Sequence, residues 1–449
     1  MAYLEPHERY VFETASEKGV ALAAARIKRA QLPRNRLIAT TNDYVASLQA
    51  QLVKDSKPTG TPSNTDLGDY LAATACVHVA DGWSYLGRAL QAHLAGDGRA
   101  AVHLAYYAEL RAALGLLPTQ GIGIYDGRHV TVDELGLVRL LRGKGTHEMT
   151  WLALKFWADS GQGTDVLGEI VAPWGVPLST WVAGMPNIGG WAAVGKHWLL
   201  SWGIDLERLA EDRVARNRAS YDPTRLIPAA HLDHRQATEF VDQLWRAFEP
   251  APADPFFVLD KHLLRRALEF AYTGATTSAA KKPKATDPHW ETAIDATIAA
   301  SHGSSPPPGL KPFFLRQVDG ADLRLLSLAE GKSKPSDATY HLEVIARAAL
   351  LLRVATGCCN RMMRRAGIRE HDLKFWLDRL GEERGIWHTG SAPADFADLW
   401  TDIEDALNDL DAAYASPQAP TSYRELFDAA AAPLRTLATT ERIPLWSAA

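Results

Sequence analysis

From Leu71 to Leu94 apolar side chains return every three or four positions: Leu71, Ala75, Val79, Trp83, Leu86, Leu90 and Leu94. That period marks one face of an α-helix running for about six turns. Gly96-Asp97-Gly98 interrupts it, and a second stripe follows with Val102, Tyr106, Leu110, Leu114 and Leu117, closing at Pro118. Two apolar stripes of this length joined by so short a turn must cover each other, so the pattern predicts an antiparallel helix pair. The natural class for such a chain is all-α, a bundle grown around that pair.

The flanking sequence supplies the rest. Ile122, Ile124, Val130 and Val132 alternate on either side of Asp126-Gly127, a dipeptide suited to tight hairpins, and predict a small two-stranded ribbon. Helices are predicted over Val132–Leu141, Thr146–Ser160, Thr164–Val171, Trp191–Trp202, from Asp205 to Tyr221, and around Phe240 and Pro255–Tyr272. Residues 273–311, rich in Thr, Ser, Lys, Pro and Gly, have too little apolar surface to offset their ordering entropy and read as a flexible linker. Only a short helix around Trp290–Ala300 breaks that stretch. Beyond it, Tyr340–Thr356 is apolar almost all round, as a central bundle helix would be, and its Arg347 and Arg353 require partners. The expected division is therefore an N-terminal arm and link (1–65), a helical bundle with its hairpin (66–272), the linker (273–311) and a second, C-terminal helical domain (312–449).

Several function classes fall away. A net charge of −5 gives no global reason for nucleic-acid binding, so any such surface must be a local patch. Cys76, Cys358 and Cys359 make no Cys-x-x-Cys pair, which points to a reducing cytoplasm rather than a disulfide framework or metal site. The N-terminus lacks the apolar core of a secretory signal, and no apolar run suggests a membrane span. Gly143-Lys144-Gly145-Thr146 has the wrong spacing for a phosphate loop, and the common hydrolase, zinc-protease and dinucleotide fingerprints are missing. No cofactor and no metal are expected. Seven of the 14 tryptophans fall between Trp151 and Trp202, read first as a large aromatic core. The acids between Asp395 and Asp411 read as a solvated helix face, with docking to a basic partner as the sharper reading.

What remains is arginine placed near histidine or tyrosine. Arg142-Gly143-Lys144-Gly145-Thr146-His147 precedes a helix start, where amides and basic side chains together hold phosphate, and an imidazole of ordinary pKa, about 6.5, moves protons at neutral pH. Arg216-Asn217-Arg218-Ala219-Ser220-Tyr221 closes a helix just before Asp222-Pro223. Counting back in steps of three and four puts Tyr221, Asn217, Val214, Ala210 and Leu206 on one inner stripe, ending in an amide and a phenol with Arg216 at its flank.

The helix pair together with the later Arg-Asn-x-x-Ser-Tyr helix resembles the HEPN-like superfamily over roughly residues 66–272. That resemblance implies a four- to five-helix bundle and an RNA-directed role, commonly a metal-independent ribonuclease of prokaryotic defence or toxin systems. In it Arg216 matches the phosphate-binding arginine and Asn217 the polar residue after it. Tyr221 stands where the family carries histidine, and a phenol of pKa about 10 is a poor proton acceptor at neutral pH. Either Tyr221 positions RNA while His147 or His129 supplies the base, or the site is degenerate and binds without cutting. A protein partner or homodimer is implied as well, since two such helix ends face each other in active members. The alternative is a non-enzymatic helical scaffold or adaptor subunit of a multiprotein defence complex.

Overall fold

The computed structural model describes the chain apart from residues 1–2, 28–35, 187–190, 193, 197–205, 222–231, 253, 276–282, 285, 304–305 and 449. In chain order its elements are α1 (Pro6–Glu13), α2 (Glu17–Ile27), α3 (Leu48–Asp55), α4 (Asn64–Leu94) and α5 (Gly98–Thr119), then β1 (Ile122–Ile124), β2 (Arg128–Val132) and β3 (Val138–Arg142). Next come α6 (Thr146–Asp159), α7 (Gly161–Ile170), α8 (Leu178–Ala183), α9 (Leu206–Tyr221), α10 (His234–Ala247), α11 (Phe257–Ala275), α12 (Pro288–His302) and α13 (Leu310–Phe314). The chain ends with α14 (Arg324–Ala329), α15 (Tyr340–Arg365), α16 (Glu370–Glu383), α17 (Leu399–Ala415), α18 (Tyr423–Leu437) and α19 (Arg442–Trp446). It is a mainly helical protein with one small sheet. Among the described residues no helix is long and apolar enough to cross a membrane.

Two compact units divide the chain, and each is discontinuous. The first comprises residues 1–156, 206–241 and 333–449. Its centre is the predicted pair α4 and α5, whose stripe residues are all buried, with Leu71, Trp83, Leu90, Tyr106 and Leu117 at 0% exposure. The Asp97 side chain caps α5 by accepting from the Ala100 amide at 2.9 Å, which fixes where the second helix starts. Gly115 lets α5 lie close to α4, since a Cβ there would stand 2.7 Å from Val79 Cγ2. α15 packs along both helices, and α2 lies on α4. The segment expected as a separate C-terminal domain thus supplies a core helix to the same bundle. Its all-round apolar surface explains why: a helix buried from Tyr340 to Met363, with Asn360 alone only partly covered, needs neighbours on every side.

The predicted hairpin is present, β1 pairing antiparallel with β2 in the register Gly123↔Val130, around Gly127 at φ 62°. The helix expected over Val132–Leu141 is not. There the chain turns at Gly136 and returns as β3, pairing with β2 from Val132↔Val138 to Arg128↔Arg142, so the sheet has three strands. Ladder hydrogen bonds to β2 override the local helical pattern of this short stretch.

The second unit comprises residues 157–205 and 242–332. Its core is aromatic, as the tryptophan count suggested. Trp181 is fully buried and meets Trp174 and Phe314 edge-on, at 6.0 Å and 5.6 Å between ring centroids. Trp174 also meets Phe257 at 5.2 Å. Residues 288–302, within the expected flexible linker, form helix α12, whose Trp290 and Ile294 are buried and whose N-terminus is capped by Asp287. The apolar content of this one helix is enough to anchor the stretch against α8 and α13.

Candidate functional site

Helix α9 does not present the face the periodicity assigned to it. Leu209, Asp212 and Ala215 are buried, whereas Val214 is 44% exposed and Asn217 lies on the surface. The side chains of Leu206, Ala210 and Tyr221 lie outside the described residues, as do Arg218 and Ser220. The rotation follows from Asp212. Its carboxylate accepts from Arg347 Nη2 at 2.8 Å to each oxygen and from the Tyr340 hydroxyl. Arg347 Nε also faces Glu109 at 3.6 Å, and Nη1 lies 3.9 Å from Glu343. Burial, reinforced by the Asp212 charge, holds the Glu109 carboxyl well above the usual range. A polar knot does sit beneath α9, but it is built on an aspartate five residues before Asn217.

One turn further along α9, Arg216 is only half-buried. Its guanidinium stands over the rings of Tyr106 and Tyr107 from α5, at 5.3 Å and 5.1 Å, and donates to Asn217 Oδ1 at 2.9 Å. Tyr106 carries the contact onward to α6. Its hydroxyl lies 2.9 Å from His147 Nδ1, and the two rings stack at 5.9 Å with 8° between their planes. Trp151, one turn after His147, meets Tyr106 edge-on at 6.1 Å. His103 flanks Tyr107 at 5.1 Å, and Tyr107 stacks on Tyr85, over which Arg88 sits at 5.5 Å. The result is an alternation of aromatic rings and guanidinium groups from α4, α5, α6 and α9.

The electrostatics are set by partial burial beside fixed positive charge. Burial, then the guanidinium groups of Arg216 and Arg213, lower the pKa of His147. Burial and Arg216 do the same to His103. Both imidazoles are therefore neutral at pH 7. Burial pushes the Tyr106 phenol up to about 12 although Arg216 works against it, so its proton stays on. In the tautomer protonated at Nδ1, that N–H donates to the Tyr106 oxygen and Nε2 keeps the lone pair that accepts a proton; in the other tautomer the Tyr106 hydroxyl donates to Nδ1. The arrangement can hold an anion at Arg216 and take up a proton at His147.

Arg142 and His147, adjacent in the sequence motif, are separated by the fold. Arg142 is exposed at the end of β3 and donates from Nη2 to the Ser56 carbonyl at 3.3 Å. Lys144 is held by Glu8 at 3.0 Å, so these two cations do not assemble a phosphate cradle in front of His147. His129, the other base considered, is fully buried with Nε2 3.0 Å from the Lys144 carbonyl. Burial lowers its pKa to about 4. Sequence reasoning overlooked Tyr106, Tyr107, His103 and Arg213. The available signal was His103, Tyr106 and Tyr107 spaced at three and four residues along one helix, of which only Tyr106 was read, as a member of an apolar stripe. Among the described residues no group of three or more His, Cys, Asp or Glu side chains could hold a metal ion. Compared with family models, curated proteins and solved structures, the chain finds no match.

Proposed function

We propose that this chain is an RNA-directed protein, HEPN-like in its bundle and acting in prokaryotic defence, whose Arg216–His147 face binds and cleaves RNA without a metal ion. One observation carries the reading. A histidine missing from the helix-end motif, where Tyr221 stands, is supplied from α6: His147 joins Arg216 through the Tyr106 ring that both contact. In the proposed reaction Arg216 holds the scissile phosphate and stabilises its growing charge. His147 Nε2 takes the proton of the ribose 2′-hydroxyl. The 2′-oxygen then bonds to phosphorus as the bond to the 5′-oxygen breaks. That leaving oxygen takes a proton from water while the His147 imidazolium returns its own to solvent, and the products are a 2′,3′-cyclic phosphate and a 5′-hydroxyl end. Tyr107, Tyr85 and Arg88 continue the surface with the ring and cation chemistry that single-stranded RNA uses.

The test is incubation of the full chain with labelled single-stranded RNA and tRNA in a metal chelator, with end-group analysis of the products. Cleavage to cyclic-phosphate ends, lost in both Arg216→Ala and His147→Ala, is the expected result. Intact RNA with binding still dependent on Arg216 would leave a degenerate RNA-binding relative. RNA neither cut nor bound, with Arg216→Ala altering only thermal stability, would leave the helical scaffold subunit instead.

A further inference from the structure

The second unit holds an open pocket of about 670 Å³, a volume within the range of small-molecule sites. Its floor is organised by Arg265, which is fully buried. Arg265 donates from Nη1 to the Asp319 carbonyl at 2.6 Å and from Nη2 to the Ala321 carbonyl at 2.7 Å, pinning the wall formed by residues 319–323. Nη2 also lies 3.1 Å from His262 Nδ1. A guanidinium has donors only, so Nδ1 must accept and the proton of this ring sits on Nε2. His262 lines the pocket at 5% exposure, and no acceptor among the described residues meets its Nε2–H. Burial, aided by Arg265 and Lys261, depresses its pKa to about 3, so the ring remains a neutral donor. This donor faces the open pocket rather than the packed interior, so a ligand acceptor can reach it.

Beside it stands Lys261, 17% exposed, over the rings of Phe257 and Phe313 at 5.6 Å and 5.2 Å. Its only ionic contact among the described residues is Asp319 Oδ2 at 3.5 Å. Asp319 is 58% exposed and its backbone sits at φ 48°, in the left-handed region that non-glycine residues rarely adopt. The main chain of this residue is gripped while its carboxylate rests loosely on the lysine, a screened contact worth little. The rest of the lining is mostly apolar, with Phe257, Pro250, Pro252 and Leu323.

We propose that this pocket binds a small organic carboxylate with an apolar body, whose head group displaces the Asp319 carboxylate from Lys261 and accepts the His262 Nε2–H. Lys261 already holds a carboxylate, so a ligand head group of the same shape and charge fits its place once Asp319 swings away. The acids Glu249, Asp319 and Asp322 outnumber the cations Arg246 and Lys261 in the lining, which disfavours a phosphate dianion more than a carboxylate monoanion. Asp322 is itself taken up by Arg316 at 2.7 Å and Arg265 at 3.7 Å, so Asp319 is the acid free to move aside. The proposal stands apart from the RNA reading, since none of its residues belongs to the first unit.

Calorimetric titration of the full chain with phenylpropionate, phenylpropionamide and phenyl phosphate tests it, with one apolar body and three head groups. Phenylpropionate is expected to bind at least about fivefold more tightly than the amide, the difference lost in Lys261→Gln, as for a charge-assisted hydrogen bond. Asp319→Asn removes the competing carboxylate and is expected to tighten phenylpropionate binding, a direction that a merely structural aspartate would not give. Equal binding of acid and amide, tighter binding of phenyl phosphate, or unchanged or weaker affinity in Asp319→Asn would each overturn the proposal. So would an absence of heat from all three compounds.

Discussion

Tyr106 and Glu109 stand one turn apart on α5, Asp212 and Arg216 one turn apart on α9, and that single turn separates two kinds of polar chemistry. Inside, Arg347 answers Asp212 and Glu109 where all three side chains are 2% exposed or less. Outside, Arg216 faces two tyrosine rings and an asparagine amide at the edge of solvent. A buried guanidinium must have carboxylates, because desolvation of an isolated charge is far too unfavourable. A half-buried one can rest on π faces. The same pair of helices therefore carries a structural lock and a ring-lined cation nearer solvent, distinguished by depth.

The comparison breaks most directly at Arg347. Arg347→Ala strands two buried carboxylates and is expected to destabilise the protein by about 3–5 kcal/mol in urea unfolding, if it folds at all. A loss no larger than that of Arg216→Ala would show the two regions to be alike. Acid sharpens the contrast next. His129 and His147 both have pKa values lowered by burial, so the folded chain prefers the neutral rings. Their contribution is intact above the ordinary value near 6.5 and is lost as pH falls below it. For fully buried His129, at about 4, the loss by pH 4 is on the order of 3 kcal/mol. His129→Gln should flatten the decline of stability between pH 6.5 and 4, measured by urea midpoints, more than His147→Gln does.

At the open face the expected effects on stability are smaller. Arg216→Ala should change unfolding free energy by less than about 1 kcal/mol while weakening RNA retention in a filter-binding assay. A variant that melts far below wild type would place Arg216 with the lock instead. Smallest of all, Arg142→Ala removes an exposed side chain whose hydrogen bond among the described residues is to a backbone carbonyl. It should shift stability by no more than about 0.5 kcal/mol and leave RNA binding unchanged, and a clear loss of binding would restore Arg142 to the site.

The legible parts of the chain were those governed by local period. The α4 and α5 stripes, the Asp126-Gly127 hairpin and the helix ending in Tyr221 each follow from residues within a few turns of one another. β3 was not legible, because Val138-Arg139-Leu140-Leu141-Arg142 suits a helix as well as a strand until β2 offers its ladder. The site was half-legible. Arg216 and His147 were picked out by their neighbours in sequence, yet the groups beside them in space differ from those in sequence. Arg142 leaves on β3, and Tyr106, read as one more core residue, becomes the link between them.

Apolar spacing by itself determined a helical bundle around residues 71–117, because burial of a stripe depends only on the residues that form it. The buried face of α9, the partner of Arg347 and the meeting of Arg216 with His147 were decided by the tertiary structure. Each depends on charges and rings brought together from distant segments: Asp212 from α9 with Arg347 from α15, Tyr106 from α5 with His147 from α6. A charge cannot be placed inside or outside until its counter-charge is known, and that is a property of the packed chain rather than of any one helix.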